Sequence, residues 1–188
     1  MILSSELRLL KGNTQCVARS VCTSDITKEY IDSLRSNNRL IKYSSEKIDA
    51  NAQANYVERI SVSRRDVLIG FFRNRELLGT CGMQELSQDD LWAVGVLLFD
   101  KLPRGQGWGR ALLWSSCVLM SEAQKAKRFV ASTRTDNFAA QGAFRSIGFR
   151  EITRDDTIAW IGCLASAIED LDGVYAEGFI STDVPKIS

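Results

Sequence analysis

The sequence predicts a mixed α/β domain built around one sheet, and three observations point there. Between residues 66 and 99, apolar stretches separated at Asn74-Arg75 and at residues 86–90 read as three consecutive strands. The last of them, residues 92–99, is apolar nearly throughout, as a strand covered on both faces must be. A glycine-rich turn at residues 104–109 then leads into an apolar run over residues 110–125, too long for a strand and of helical length.

The other elements follow from local pattern. Residues 6–22 are strand material broken by Gly12-Asn13. Asp25 is a candidate helix cap, followed by Ile26, Tyr30, Ile31 and Leu34 on one helical face and a polar stop at Ser36-Asn37-Asn38. A second helix fits residues 46–60, where Ile48, Ala52, Tyr56 and Ile60 recur every four residues. Gly70, Gly79 and Gly82 fall inside the predicted strands and suggest bulges or close backbone approach. Residues 128–133 form a short strand, and residues 136–147 a helix stopped by Gly148. Residues 149–153 and 157–163 read as a final strand pair. The expected domain spans residues 1–163, with residues 164–188 a C-terminal extension of unassigned role that holds a short helical stretch.

Composition narrows the function. The chain has 188 residues, 45% hydrophobic and 25% charged, with a net charge of +1. That balance fits one globular domain and speaks against a polyanion or nucleic-acid partner. Five dispersed cysteines without a C-x-x-C pair favour reduced thiols over a disulfide framework or zinc site. No histidine is present, which removes histidine triads, histidine metal ligands and a histidine base. No metal site is expected. Residues 1–10 include Glu6 and Arg8 and do not read as a signal peptide, and no apolar run is long enough to span a bilayer; a cytoplasmic protein without a membrane partner is expected.

The turn Arg104-Gly105-Gln106-Gly107-Trp108-Gly109-Arg110 carries the chemistry. Glycines let several backbone N–H groups converge, the following helix adds its positive end, and Arg104 and Arg110 add charge; such a turn can hold a pyrophosphate. A Walker A loop needs Gly-Lys, which is absent, and a dinucleotide fingerprint needs G-x-G-x-x-G, whereas the spacing here is G-x-G-x-G. A tight strand–helix turn without a ligand is the competing reading.

Residues Arg104 to Gly109 read R-x-x-G-x-G. Downstream, Asn137-Phe138-Ala139-Ala140 precedes Phe144 and then Ile147-Gly148-Phe149. The two blocks, one helix and one strand apart, resemble the acyl-CoA signature and the N-x-x-A…(Y/F)-x-x-x-G-F block of the GNAT superfamily of N-acyltransferases, over roughly residues 64–152. The resemblance implies a mostly antiparallel sheet flanked by helices and splayed between its fourth and fifth strands, here residues 92–99 and 128–133. It implies acetyl-CoA as co-substrate. Backbone groups of Leu97, Leu98 and Phe99 would pair with the pantetheine arm, and those of Arg104, Gly105, Gln106, Gly107, Trp108, Gly109 and Arg110 would hold the pyrophosphate. Asn137 would hydrogen-bond the arm, and Phe144 would lie near the sulfur. A homodimer is also implied by analogy with the family.

Amide formation from a thioester requires an amine that loses a proton, donors for the oxyanion, and a proton for the thiolate. The N–H of Leu98 or a neighbour is the candidate oxyanion donor. Glu85, at the end of its strand, is the candidate base, ahead of Asp89, Asp90 and Glu151; Tyr43 and Glu85 are candidate acceptor contacts, and Tyr56 could join them. Many family members carry tyrosine at the position of Phe144, and phenylalanine has no proton to give. Ser132 stands where protein N-terminal acetyltransferases of the ribosomal-protein-modifying type can carry glutamate. The favoured function is therefore transfer of acetyl from acetyl-CoA to a primary amine of a small molecule such as an amino sugar nucleotide, by direct attack. The alternatives are a protein N-terminal or lysine acetyltransferase and a non-catalytic acyl-CoA-binding module.

Overall fold

A computed structural model describes residues 1–3, 5–37, 48–87, 90–99, 105–168, 171 and 174–181. The chain begins with a hairpin, β1 (Ser5–Lys11) and β2 (Thr14–Ser20), turning at Gly12. Helices α1 (Lys28–Ser36) and α2 (Ala50–Val62) follow, then β3 (Asp66–Arg73), β4 (Glu76–Ser87) and β5 (Leu91–Leu98). After α3 (Trp108–Gln124) come β6 (Arg128–Arg134), α4 (Phe138–Arg145), β7 (Arg150–Arg154), β8 (Ile158–Leu164) and β9 (Val174–Ser181). The strands form one sheet in the order β7-β8-β6-β5-β4-β3-β2-β1-β9. Every neighbouring pair is antiparallel except β5 and β6, which run parallel.

Strand alternation divides the sheet into two faces. Val67, Ile69, Cys81, Met83, Trp92 and Val94 point to one face, where α3 and α4 complete the main core. Leu68 and Leu97 point to the other: Leu68 lies beneath Val57 and Ile60 of α2, and Leu97 packs with Tyr30 and Leu34 of α1. Phe71, Phe129, Phe149 and Leu112 are fully buried on the α3 side; each such side chain contributes about 1.5–3 kcal/mol by leaving water.

Several boundaries differ from the sequence expectation. Helix α1 is capped by Thr27, whose hydroxyl accepts from the Tyr30 N–H at 3.2 Å. Asp25 instead accepts from the Cys22 N–H at 2.9 Å and pairs twice with Arg19, closing a 3-10 turn ahead of the helix. Helix α2 starts at Ala50 rather than 46, because Asp49 caps it through the Ala52 N–H at 2.9 Å. Helix α4 starts at Phe138, with Asn137 as its cap. The C-terminal extension is not merely appended. Beyond a 3-10 turn at Ala165–Ala167, Ile168, Leu171 and Val174 pack into the α3-side core, and β9 pairs with β1 along its whole length.

Candidate active site

Strand β5 has two unlike edges. Against β4 it is paired from Trp92 to Leu98. Against β6 the register holds only for Leu91↔Arg128, Trp92↔Phe129 and Ala93↔Val130, although β5 runs on to Leu98 and β6 to Arg134. Beyond Ala93 and Val130 the register ends, and the wedge between the strands is lined by backbone groups that no β5–β6 ladder consumes.

Parity decides which groups these are. The Phe99 N–H donates to the Leu78 carbonyl at 3.0 Å, so it points at β4. Backbone groups alternate sides along a strand, so those of Leu97 also face β4, opposite Thr80, while those of Val96 and Leu98 face the wedge. Of the three residues singled out for the pantetheine arm, Leu98 is the one whose backbone reaches the wedge. The Leu97 side chain packs beneath α1, and the Phe99 ring meets Tyr30 edge-on with centroids 5.7 Å apart. Val96 was missed; strand parity, anchored by one known hydrogen bond, is the signal that finds it.

The glycine turn stands level with the Leu98 end of β5, since its Trp108 lies beside Phe71, which is in line with Gly79 and Leu98. Gly105 and Gly107 have φ of 79° and 77°, a left-handed conformation that side chains disfavour. Gly107 is the N-cap of α3, and the first intrahelical bond runs from the Ala111 N–H to the Gly107 carbonyl at 3.0 Å. The N–H groups of Trp108, Gly109 and Arg110 therefore precede any intrahelical acceptor, and the first turn holds no acidic residue. A Cβ placed on Gly107 would lie 3.2 Å from a guanidinium nitrogen of Arg110 and 3.7 Å from Lys11 Cε. Lys11 Nζ sits 4.8 Å from the centroid of the buried Trp108 ring, which also packs against Phe71. A helix N-terminus with two cations at its mouth is matched to a diphosphate, and the glycine leaves the room a Cβ would take. Lys11 comes from the β1 end, almost a hundred residues away in sequence, and only the fold brings it here. Gln106 is exposed at the tip of the turn. Arg104 and Tyr43 lie outside the described residues.

The other wall is held by α4. Asn137 accepts the Ala140 N–H at 3.1 Å through its side-chain oxygen, so its amide NH2 is the end that remains for a ligand. Gln141, 2% exposed, donates to the carbonyls of Arg134 and Thr135 at 3.0 and 2.9 Å and so pins the end of β6. Sequence reading did not find it, because a buried amide inside a helix has no motif. Phe144 is buried against Phe149, ring centroids 5.0 Å apart.

The carboxylates proposed as bases are already engaged. Glu85 is in register with Trp92, at the end where β5 and β6 are still paired, and lies 3.8 Å from Arg65 Nε. Asp90 pairs with Lys127 at 2.8 Å, and its carbonyl accepts from Lys127 and Arg128. Glu151 pairs with Arg154 at 2.8 Å, and the hydrogen bond from that guanidinium holds its carboxyl below the usual range. Asp89 lies outside the described residues. Tyr56, on α2, has Arg59 stacked over its ring at 5.4 Å.

The three buried thiols, Cys16, Cys81 and Cys117, are poor nucleophiles. Burial pushes Cys81 up to about 12 and Cys16 up to about 11, and raises Cys117 well above the ordinary thiol value. None of the five cysteines forms a disulfide. Among the described residues no group of three or more metal-ligating side chains occurs, and no helix is long and apolar enough to cross a membrane.

A family model described as an acetyltransferase (GNAT) domain matches residues 18–150. No curated protein matches the sequence. Solved structures match in fold at low identity. RimJ of Mycobacterium smegmatis, in complex with CoA-disulfide, is 12% identical with a TM-score of 0.73, over 86% of this chain and 88% of that one. RimL, the ribosomal L7/L12 α-N-protein acetyltransferase, in complex with coenzyme A, is 13% identical with a TM-score of 0.71, over 85% and 99%. The spermidine N-acetyltransferase of Vibrio cholerae, with CoA and spermine, is 13% identical with a TM-score of 0.68, over 81% and 96%. With the family model covering well over half its length, from β2 to the start of β7, this chain belongs to the GNAT acetyltransferase family.

Proposed function

We propose that this chain moves the acetyl group of acetyl-CoA to a primary amine by direct attack. The observation that carries the reading is the three-residue β5–β6 pairing, which leaves a backbone-lined wedge along β5, whose Leu98 end is level with the glycine-capped, cation-flanked start of α3.

Acetyl-CoA supplies an activated acyl group on a thiol leaving group. The α3 N-terminus, with Lys11 and Arg110, holds the diphosphate. Backbone groups of Val96 and Leu98 along the wedge orient the arm, and one of their N–H groups polarises the thioester carbonyl; such a donor is worth about 3 kcal/mol in the transition state. The amine nitrogen forms a bond to the carbonyl carbon, the carbon–sulfur bond breaks, and the nitrogen gives its proton to water. Phe144 cannot protonate the departing sulfur, so water does. Burial raises the thiol pKa values of Cys81 and Cys117 and disfavours an acyl-cysteine at either, and direct attack needs no such intermediate.

Two acceptor classes fit this chemistry: the small-molecule amine favoured by the sequence, and a polypeptide amine of the kind named for RimL. The exposure of Gly95, Ser132 and Trp160 on the sheet face opposite α3 favours the polypeptide.

The test is calorimetric titration of acetyl-CoA into the protein, followed by thiol release in the presence of candidate amines. Micromolar binding with amine-dependent thiol release is expected. A folded protein that does not bind acetyl-CoA would sink the reading, and binding without turnover of any amine would leave a CoA-binding module.

A further inference from the structure

Across the sheet face opposite α3, one row of residues crosses the wedge. Leu68 of β3 is in register with Gly82 of β4, and Gly82 with Gly95 of β5. Gly95 lies two residues beyond the last β5–β6 pair, Ala93↔Val130, which brings it level with Ser132 of β6. Ser132 is in register with Trp160 of β8. At one end of the row Leu68 is buried beneath α2. At the other, Trp160 is a large apolar side chain left 44% exposed. Between them Gly95 and Ser132 are exposed, one on each lip of the wedge.

The two central glycines are not explained by the fold. Gly70, Gly79 and Gly162 are: a Cβ on them would lie 2.5 Å from the Phe72 ring, 2.7 Å from the Leu97 carbonyl and 2.7 Å from Ile152, respectively. Gly105 and Gly107 are explained by their positive φ. Gly82 and Gly95 have neither reason, for their φ values lie outside the left-handed region and no described atom comes within 4 Å of a Cβ on either. Glycine weakens a strand that a larger residue would stabilise, so facing glycines without crowding or positive φ point to something that comes and goes above them.

We propose that the acceptor is the amino terminus of a polypeptide, which crosses the wedge over Gly95 in extended form and rests a side chain on Trp160. The inference rests on the transfer reading above and assigns Gly95 as a specificity-determining residue and Trp160 as an acceptor contact. Gly95 directly precedes Val96, whose backbone lines the wedge, so an amine above Gly95 enters where the thioester carbonyl is polarised. A floor without Cβ atoms lets a main chain lie against the sheet. From Gly95 to Trp160 is the open wedge plus one strand spacing, more than roughly 10 Å, which an extended peptide covers in about three to four residues. The side chain near the third position of the acceptor therefore meets the Trp160 ring. A compact small amine would leave that ring and most of the row in water.

The experiment uses two alanine-led pentapeptides with free amino termini, one with leucine and one with glycine at the third position, beside spermidine and glucosamine. Wild type is expected to acetylate the leucine peptide with a kcat/KM at least tenfold above either small amine. Gly95→Val should keep or raise the Tm, because valine suits a strand and the space above it is open. It should also leave acetyl-CoA affinity within twofold while raising the KM for the leucine peptide at least tenfold. Trp160→Ser should erase the preference for leucine over glycine without altering acetyl-CoA affinity. Unchanged peptide kinetics in Gly95→Val would overturn the inference. So would a wild type that prefers either small amine, or one that binds acetyl-CoA and acetylates neither peptide; in these cases the cofactor site stands. Loss of acetyl-CoA binding in wild type would instead bring down the transfer reading itself.

Discussion

The two edges of β5 are made of the same kind of residue and do opposite things. Toward β4 each backbone group is spent on a ladder that runs from Trp92 to Leu98, and nothing there is left for a ligand. Toward β6 the ladder stops at Ala93, leaving Val96 and Leu98 with backbone groups that face a gap. A parallel pair that opens is costly unless something fills it, because unpaired polar backbone groups away from water forfeit a hydrogen bond. The site is thus a deliberate failure of pairing, kept open by what grips each wall: α3 and its glycine cap beyond β5, α4 and its buried amide beside β6.

Perturbing either grip tests this contrast. The largest effect is expected from Gly107→Trp. The indole would have to adopt a left-handed backbone and displace Arg110, so acetyl-CoA affinity should fall at least a hundredfold, about 2.8 kcal/mol. Calorimetry reads this, and the near-ultraviolet circular dichroism should stay native; retained affinity would mean the diphosphate lies elsewhere. Gln141→Leu acts on the other wall. It leaves the Arg134 and Thr135 carbonyls without their donor, at a cost of about 1–3 kcal/mol in urea unfolding, and loosens the end of β6. If stability stays at the wild-type level, α4 is not what holds the wedge. Lys11→Met keeps the aliphatic stem over Trp108 and removes only charge. It should weaken acetyl-CoA binding about tenfold, or 1.4 kcal/mol, and flatten the dependence of affinity on salt.

How much of this could be read in advance follows from range. The glycine turn and the strand before it are local patterns, and they stand where periodicity and turn chemistry put them; the Asn137 cap is just as local, yet the apolar pattern alone put residue 137 inside the helix. The α3 helix is visible as an apolar run with no polar face, but not all that shares its core: Ile168, Leu171 and Val174 join the same cluster, reached through a C-terminal extension that carries no clear pattern of its own. Lys11 and Gln141 were invisible for the same reason, since one reaches the site across the sheet and the other acts on backbone carbonyls. The parity of Leu97, Leu98 and Phe99 depended on a single bond to Leu78, and a shift of one residue exchanges the two edges of β5.

The smallest expected effect lies far from the wedge and separates the sheet's two faces. Asp25 holds the entry to α1 through two 2.8 Å bonds from Arg19 and one from the Cys22 N–H. Burial alone would raise its pKa, but the Arg19 guanidinium, the Cys22 N–H and the Cys22 thiol outweigh that and hold the carboxyl below its ordinary value. A lowered folded pKa means the group stabilises the fold at all pH above its unfolded value, and that this contribution drains away as pH falls through the folded one. The pair is partly open to solvent, so about 1 kcal/mol or less is at stake. Asp25→Asn should therefore be less stable than wild type at pH 7 in urea unfolding, and the gap between them should narrow as the pH drops below about 4. Acetyl-CoA affinity at pH 7 should not change, because α1 and the 3-10 turn sit on the face away from α3. A gap that stayed constant with pH would show that Asp25 acts by shape rather than charge, and a fall in acetyl-CoA affinity would show that the two faces of the sheet are coupled through β5.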